Sequence, residues 1–226
     1  LGIMTYGARF IRRFTPSLKD LGFMTAMLVS MVGLTRLAIV LARLIAETRP
    51  DFPSVAIFAA VPFAAGAMLT RIVLNAESAL IFSIMFSLLI GLMIPEYPIF
   101  PAFVLLGSMT GTGAVEVIGT RMVIIRAGLL VGLVNLAFAA ALGMLTSQFA
   151  SLWTLQIAAF AVGGGLLVGI LVTALLPVVE SIFRYISDFK LLELANPNHP
   201  ALRELLLSAP GSYQHSMMVA SLVEAG

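Results

Sequence analysis

The chain has 226 residues, 60% of them hydrophobic and only 11% charged, with a mean hydropathy of +1.07. A water-soluble domain carries about a quarter charged residues, so this composition excludes one, and the absence of cysteine excludes disulfides and Cys-ligated zinc. The net charge of +2 and the pI near 9.3 fit basic loop residues of a membrane protein, with no nucleic-acid polymer as partner, because Lys and Arg gather in cytoplasmic loops for topological reasons.

Leu1 to about Ala8 reads as the tail of a membrane helix running into Arg9, Arg12, Arg13 and Lys19, with Pro16 and Ser17 as the break. Further spans are predicted over Leu21 to about Leu41, Ser54–Thr70 and Ser78–Ile94. Pro95, Pro98 and Pro101 mark a tight hairpin, since successive prolines cannot continue a helix. Ile99 to about Thr120 follows as the next span. From Ala127 to Val179 no Asp, Glu, Lys or Arg occurs, a run more than twice the roughly 20 residues that one crossing needs. It must cross, turn and cross back, over about Ala127–Leu145 and Thr154–Pro177, with Thr146–Trp153 as the polar turn and Trp153 placed for an interfacial anchor. The fold class is therefore all-α, a polytopic transmembrane bundle of about seven spans, the first truncated, followed by short cytoplasmic helices. Leu1 and Gly226 both fall inside hydrophobic elements and read as cut edges, and nothing resembles a cleavable signal peptide.

Alternating spans place Arg9, Arg12, Arg13, Lys19, Arg71, Arg121, Arg126, Arg184 and Lys190 on one side and only Arg43 and Arg49 on the other. The heavier side is predicted to be cytoplasmic, which puts the C-terminus there too. Gly107, Gly111 and Gly113 do not form a phosphate loop, because no Gly-Lys-Ser/Thr follows and no strand precedes them. Like Gly165-x-x-x-Gly169, they read as small residues that let membrane helices approach closely. Arg36 and Arg43, on one face towards the outer end of their span, and Glu116, near the inner end of its own, are candidate intramembrane functional or paired charges. They either line a ligand site or simply pair. The 12 methionines read as gap-filling.

After Pro177 the character changes. Charged residues from Glu180 to Glu193 alternate with apolar ones, an amphipathic linker leaving the membrane. Asn196–Pro200 cannot be helical. A short helix over Ala201–Leu207 follows, stopped by Ala209-Pro210-Gly211, and Ser212 is a good N-cap for the next helix.

Two stretches of this tail, Leu-Leu-Glu-Leu-Ala-Asn-Pro-Asn-His-Pro at Leu191–Pro200 and Ala-Pro-Gly-Ser-Tyr-Gln-His-Ser at Ala209–Ser216, resemble the junction of the bacterial seven-transmembrane receptors with an intracellular HD hydrolase domain. The resemblance implies a seven-transmembrane sensor or anchor over 1–178, a cytoplasmic linker over 179–200 and the truncated start of an HD domain over 201–226. It implies a parent enzyme of the bacterial inner membrane that hydrolyses cyclic di-AMP to a linear dinucleotide with a divalent metal pair, Mn or Fe. By the same resemblance the first metal-ligand histidine falls on His215. Neutral imidazole suits such ions, and two metals can activate a water and stabilise charge on a phosphodiester. The bland reading of His215 is a helix-surface histidine. His199, between Asn198 and Pro200, suits a structural turn. The remaining ligands are expected beyond Gly226, so the chain alone is expected to be inactive. The implied partners are the lipid bilayer and, for the full-length protein, a cyclic dinucleotide; Gly-rich spans allow a homodimer. The alternative is a transporter-like or scaffolding membrane module without catalysis.

Overall fold

The computed structural model describes residues 17–115, 122–149, 151–186 and 200–225, together with Leu191 and Leu194. Among them every regular element is a helix, as a backbone in lipid requires when it has no water to satisfy its polar groups. The predicted first segment at Leu1–Ala8, Glu116, Arg121, Lys190 and His199 lie outside the described residues.

The first helix, α1 (Leu18–Thr48), starts on a capping box: Ser17 N–H donates to Asp20 Oδ2 at 2.9 Å and Asp20 N–H to Ser17 Oγ at 3.2 Å. It buries a single stripe that includes Phe23, Met27, Met31, Thr35 and Ala42. The next span, read from sequence as continuous, is divided into α2 (Ser54–Ala60) and α3 (Ala64–Val73). Pro62 is the reason: it has no N–H to donate and holds Val61 extended, at φ −67° and ψ 129°. The break is tolerated because Val61 and Phe63 are buried in the protein, the condition for irregular backbone at membrane depth. Helix α4 (Ala76–Met93) is capped by Asn75, whose Oδ1 accepts from Ser78 N–H at 2.8 Å. The proline hairpin then turns the chain into α5 (Phe100–Ala114).

Helices α6 (Met122–Leu145) and α7 (Leu152–Phe183) form the uncharged pair, joined by the turn expected there. Ser151 caps α7 by accepting from Thr154 N–H at 3.3 Å. Pro177 lies inside α7, which runs on to Phe183. At 32 residues, α7 is about 48 Å long. Among the described residues, five segments are long and apolar enough to cross a membrane: α1, α2 with α3, α4, α6 and α7. Helix α5 covers 15 residues.

The core is aromatic at the hairpin side, where Phe58, Phe63, Phe86 and Phe100 meet at centroid distances near 6 Å, and glycine-lined between α6 and α7. A Cβ on Gly128 would lie 2.7 Å from Gly169 N, and one on Gly165 would overlap Gly132 backbone. Backbone therefore meets backbone, as small-residue packing predicts. Gly107 and Gly111 also pack, against Asn135 and Met68, whereas Gly113 has open space. Buried hydroxyls of Thr35, Thr70 and Ser83 donate to carbonyls one turn back. Asn135 reaches across from α6 to donate to Ala161 O on α7 at 3.3 Å. No charged side chain is buried among the described residues. Large apolar side chains such as Leu133, Leu167 and Ile170 remain exposed, the surface that lipid solvates.

Between Tyr185 and Ile186 the chain divides into two compact units. The second contains α8 (Pro200–Ser208) and α9 (Pro210–Ala225). Ser212 does not cap α9: the helix starts at Pro210, and Tyr213 N–H already donates to Ala209 O at 3.1 Å. Proline fits the first helical position because its missing N–H would be unpaired there in any case, so the segment that stops α8 after Ser208, as expected, also starts α9.

Candidate functional site

His215 is the sixth residue of α9 and is exposed. One turn of helix holds it between Ser212 and Ser216, whose Oγ donates to Ser212 O at 2.9 Å. Among the described residues, no group of three His, Cys, Asp or Glu comes together. A single accessible imidazole fits one position of a divalent ion. One imidazole does not by itself make a metal centre.

A second arrangement lies where α7 leaves the bundle, and no sequence pattern singled it out. Arg184 adopts the left-handed conformation, φ 51° and ψ 44°, and ends α7. This turns Tyr185 back towards the start of α1. Its hydroxyl donates to Asp20 Oδ1 at 2.5 Å. Lys19 Nζ donates to Arg184 O at 3.2 Å and stands 3.9 Å from the Tyr185 ring centroid, a cation–π contact. Phe23, fully buried, meets Phe183 at 5.2 Å and Tyr185 at 5.8 Å, both edge to face. The result is a clasp between the first turn of α1 and the end of α7. Tyr185 lies too far in sequence from Lys19 and Asp20 for spacing to reveal the group; the local signal is a Lys-Asp pair at the mouth of a span.

Burial, then the hydrogen bond to Asp20 and its charge, push the Tyr185 phenol well above its ordinary value. The bond needs the protonated phenol. Its contribution is complete below the unfolded tyrosine value near 10 and is lost only as pH climbs through the raised folded value. Tyr185→Phe should therefore cost about 1–2 kcal/mol, a charge-assisted bond discounted for partial exposure. The difference from wild type should stay flat from about pH 6 to 9 and shrink above about pH 10. Amide exchange over the last turn of α7 measures this; equal exchange in both proteins would discount the clasp.

The intramembrane candidates separate. Arg36 lies on the exposed face of α1, and neither it nor Arg43 pairs with any described residue. Arg43 lines a cavity at the hairpin end together with Ser54, Glu96 and Tyr97. Sequence reasoning did not mark Glu96 or Tyr97, because a hairpin charge looks like ordinary solvated surface.

Residues 1–187 match the family described as 7TM receptor with intracellular HD hydrolase. The chain is 39% identical over 124 residues to the cyclic-di-AMP phosphodiesterase PgpH of Listeria monocytogenes serotype 1/2a, covering 54% of this chain and 17% of that protein. It is 33% identical over 174 residues to the cyclic-di-AMP phosphodiesterase PgpH of Bacillus subtilis, covering 73% of this chain and 24% of that protein. An uncharacterized protein of Synechocystis is 43% identical over 49 residues, covering 22% of this chain and 6% of that protein. The chain thus spans a quarter or less of the length of these curated relatives. No solved structure matches. With a matching family over most of its length and an all-helical, multi-pass membrane bundle to accompany it, the chain belongs to the 7TM receptors with intracellular HD hydrolase.

Proposed function

We propose that this chain is the membrane part of a receptor-type phosphodiesterase whose full-length protein hydrolyses cyclic di-AMP. The family match over residues 1–187 carries the reading, and the two PgpH relatives suggest the substrate. Residues 1–178 serve as sensor and anchor, 179–200 as linker and 201–226 as the first part of the HD domain. His215 supplies one metal ligand there. A bound Mn or Fe pair would activate a water and stabilise charge on the phosphodiester.

The mechanics rest on α7. It is continuous from the polar turn at Ser151 to Phe183, and its far end is tied to the start of α1. A shift of α1 or α6 at the membrane is therefore transmitted to the chain that follows Tyr185, because close-packed glycines leave no slack for α7 to absorb it. Basic residues at the clasp end support a bacterial inner-membrane location with that end, and the C-terminus, in the cytoplasm. Gly22 and Gly33 have open space beside them, which supports close approach of a second copy along α1.

The test is turnover. Full-length protein in lipid should convert cyclic di-AMP to a linear dinucleotide, and removal of divalent metal by a chelator should stop it. Absence of hydrolysis in metal-replete protein would defeat the assignment.

A further inference from the structure

The cavity at the hairpin end has a volume of about 190 Å³, the liquid space of roughly six waters. Arg43 reaches it from α1, Ser54 from the first residue of α2, and Glu96 and Tyr97 from the turn between α4 and α5; Ile39 and Phe58 form part of its apolar wall. None of the four polar side chains hydrogen-bonds to or ion-pairs with a described residue. A cation and an anion thus share one small space without neutralising each other.

The space is held open by rigid parts. Tyr97 N–H donates to Ile94 O at 3.2 Å and Phe100 N–H to Tyr97 O at 2.9 Å. Ser87 Oγ donates to Pro101 O at 2.7 Å, tying the hairpin to α4. The Tyr97 ring stands edge-on to Phe58 at 6.0 Å, and Phe58 is itself buried. Burial, and then the Glu96 charge, raise the Tyr97 phenol above its ordinary value, so at neutral pH it remains a hydrogen-bond donor. Polar groups prepared in advance and left unused are the signature of a site that binds without reorganising.

We propose that this cavity binds a small zwitterion, its carboxylate or phosphate on Arg43 and its ammonium on Glu96. The planar guanidinium matches either anion in a bidentate manner, and the apolar wall accepts a short hydrocarbon part. A free amino acid and the phosphoethanolamine headgroup of a lipid share this chemistry. The site lies in the membrane unit and requires no hydrolase, so its failure would leave the phosphodiesterase reading untouched.

The test uses the 226-residue chain in nanodiscs of phosphatidylglycerol, which lacks an ammonium group, with calorimetric titration of L-leucine, dihexanoyl phosphatidylethanolamine and dihexanoyl phosphatidylglycerol. Saturable binding is expected for at least one of the first two and not for the third. Leucine alone would identify a free amino acid, the ethanolamine lipid alone a headgroup, and both a site that reads only the charge pair. Arg43→Gln and Glu96→Gln should each weaken binding about tenfold or more, the loss of one charged hydrogen-bond partner, while Arg36→Gln should leave it unchanged. Arg43 and Glu96 are exposed, so both variants should melt like wild type; Arg43→Lys, which keeps the charge, should bind better than Arg43→Gln. No saturable binding of leucine or the ethanolamine lipid, equal binding of the glycerol lipid, or undiminished binding in both glutamine variants would overturn the proposal.

Discussion

Three consecutive glycines should respond to alanine in opposite directions. Gly163→Ala should be neutral or stabilising by up to about 1 kcal/mol, and Gly165→Ala should cost about 3 kcal/mol. The backbone of all three is helical, so the difference lies in what the added methyl meets. Beside Gly163 there is nothing within 4 Å; the substitution only removes freedom from the unfolded chain and improves helix propensity. At Gly165 the new carbon would collide with Gly132 N and Cα and lie 2.8 Å from Gly128 O. Those are backbone atoms that cannot rotate aside. Gly164 belongs with Gly165, because its methyl would meet Ala59 O and the backbone of Ala60 at the end of α2. Thermal midpoints of the three variants in one lipid nanodisc provide the measurement. If Gly163→Ala and Gly165→Ala melted together, the α6–α7 contact would be wrong.

On the proposed function, His215→Ala in the full-length protein should reduce cyclic di-AMP turnover by roughly 100-fold or more, with a parallel loss of bound metal. Removing even a second-shell partner of a metal ligand typically costs 10- to 100-fold, and the ligand itself acts directly on the ion that would stabilise the developing charge. Because the His215 side chain is exposed and makes no hydrogen bond with a described residue, the same change should shift the stability of the 226-residue chain by no more than about 0.5 kcal/mol. The pairing of a large kinetic effect with almost no effect on melting separates a ligand from a structural histidine. Wild-type turnover and metal content in the variant would return His215 to the helix surface.

Hydropathy determines most of the bundle. A run without charge from Ala127 to Val179 has no soluble solution, so the hairpin of α6 and α7 and the polar turn between them follow from the solvent alone. Helix-start chemistry was legible at the start of α8. It misled at Ser212, where proline competes for the same role and its ring geometry prevails. Pro62 lies inside the predicted span Ser54–Thr70; whether a proline kinks or divides a helix depends on what surrounds the freed backbone groups, and here burial allows a complete break.

The candidate sites divide along the same line. His215 was visible because its neighbours in sequence form a motif. The clasp of Lys19, Asp20 and Tyr185 and the cavity of Arg43, Ser54, Glu96 and Tyr97 were not, since each joins residues from elements far apart in sequence. The sequence by itself determined that this chain is helical and crosses a membrane several times, because every backbone polar group in lipid must find its partner within its own helix. Only the tertiary structure decided which two of three adjacent glycines touch another helix, and which of two exposed arginines looks into a cavity. Those outcomes depend on the rotation of each helix against its neighbours, and a uniformly apolar span carries almost no periodic signal to set that rotation.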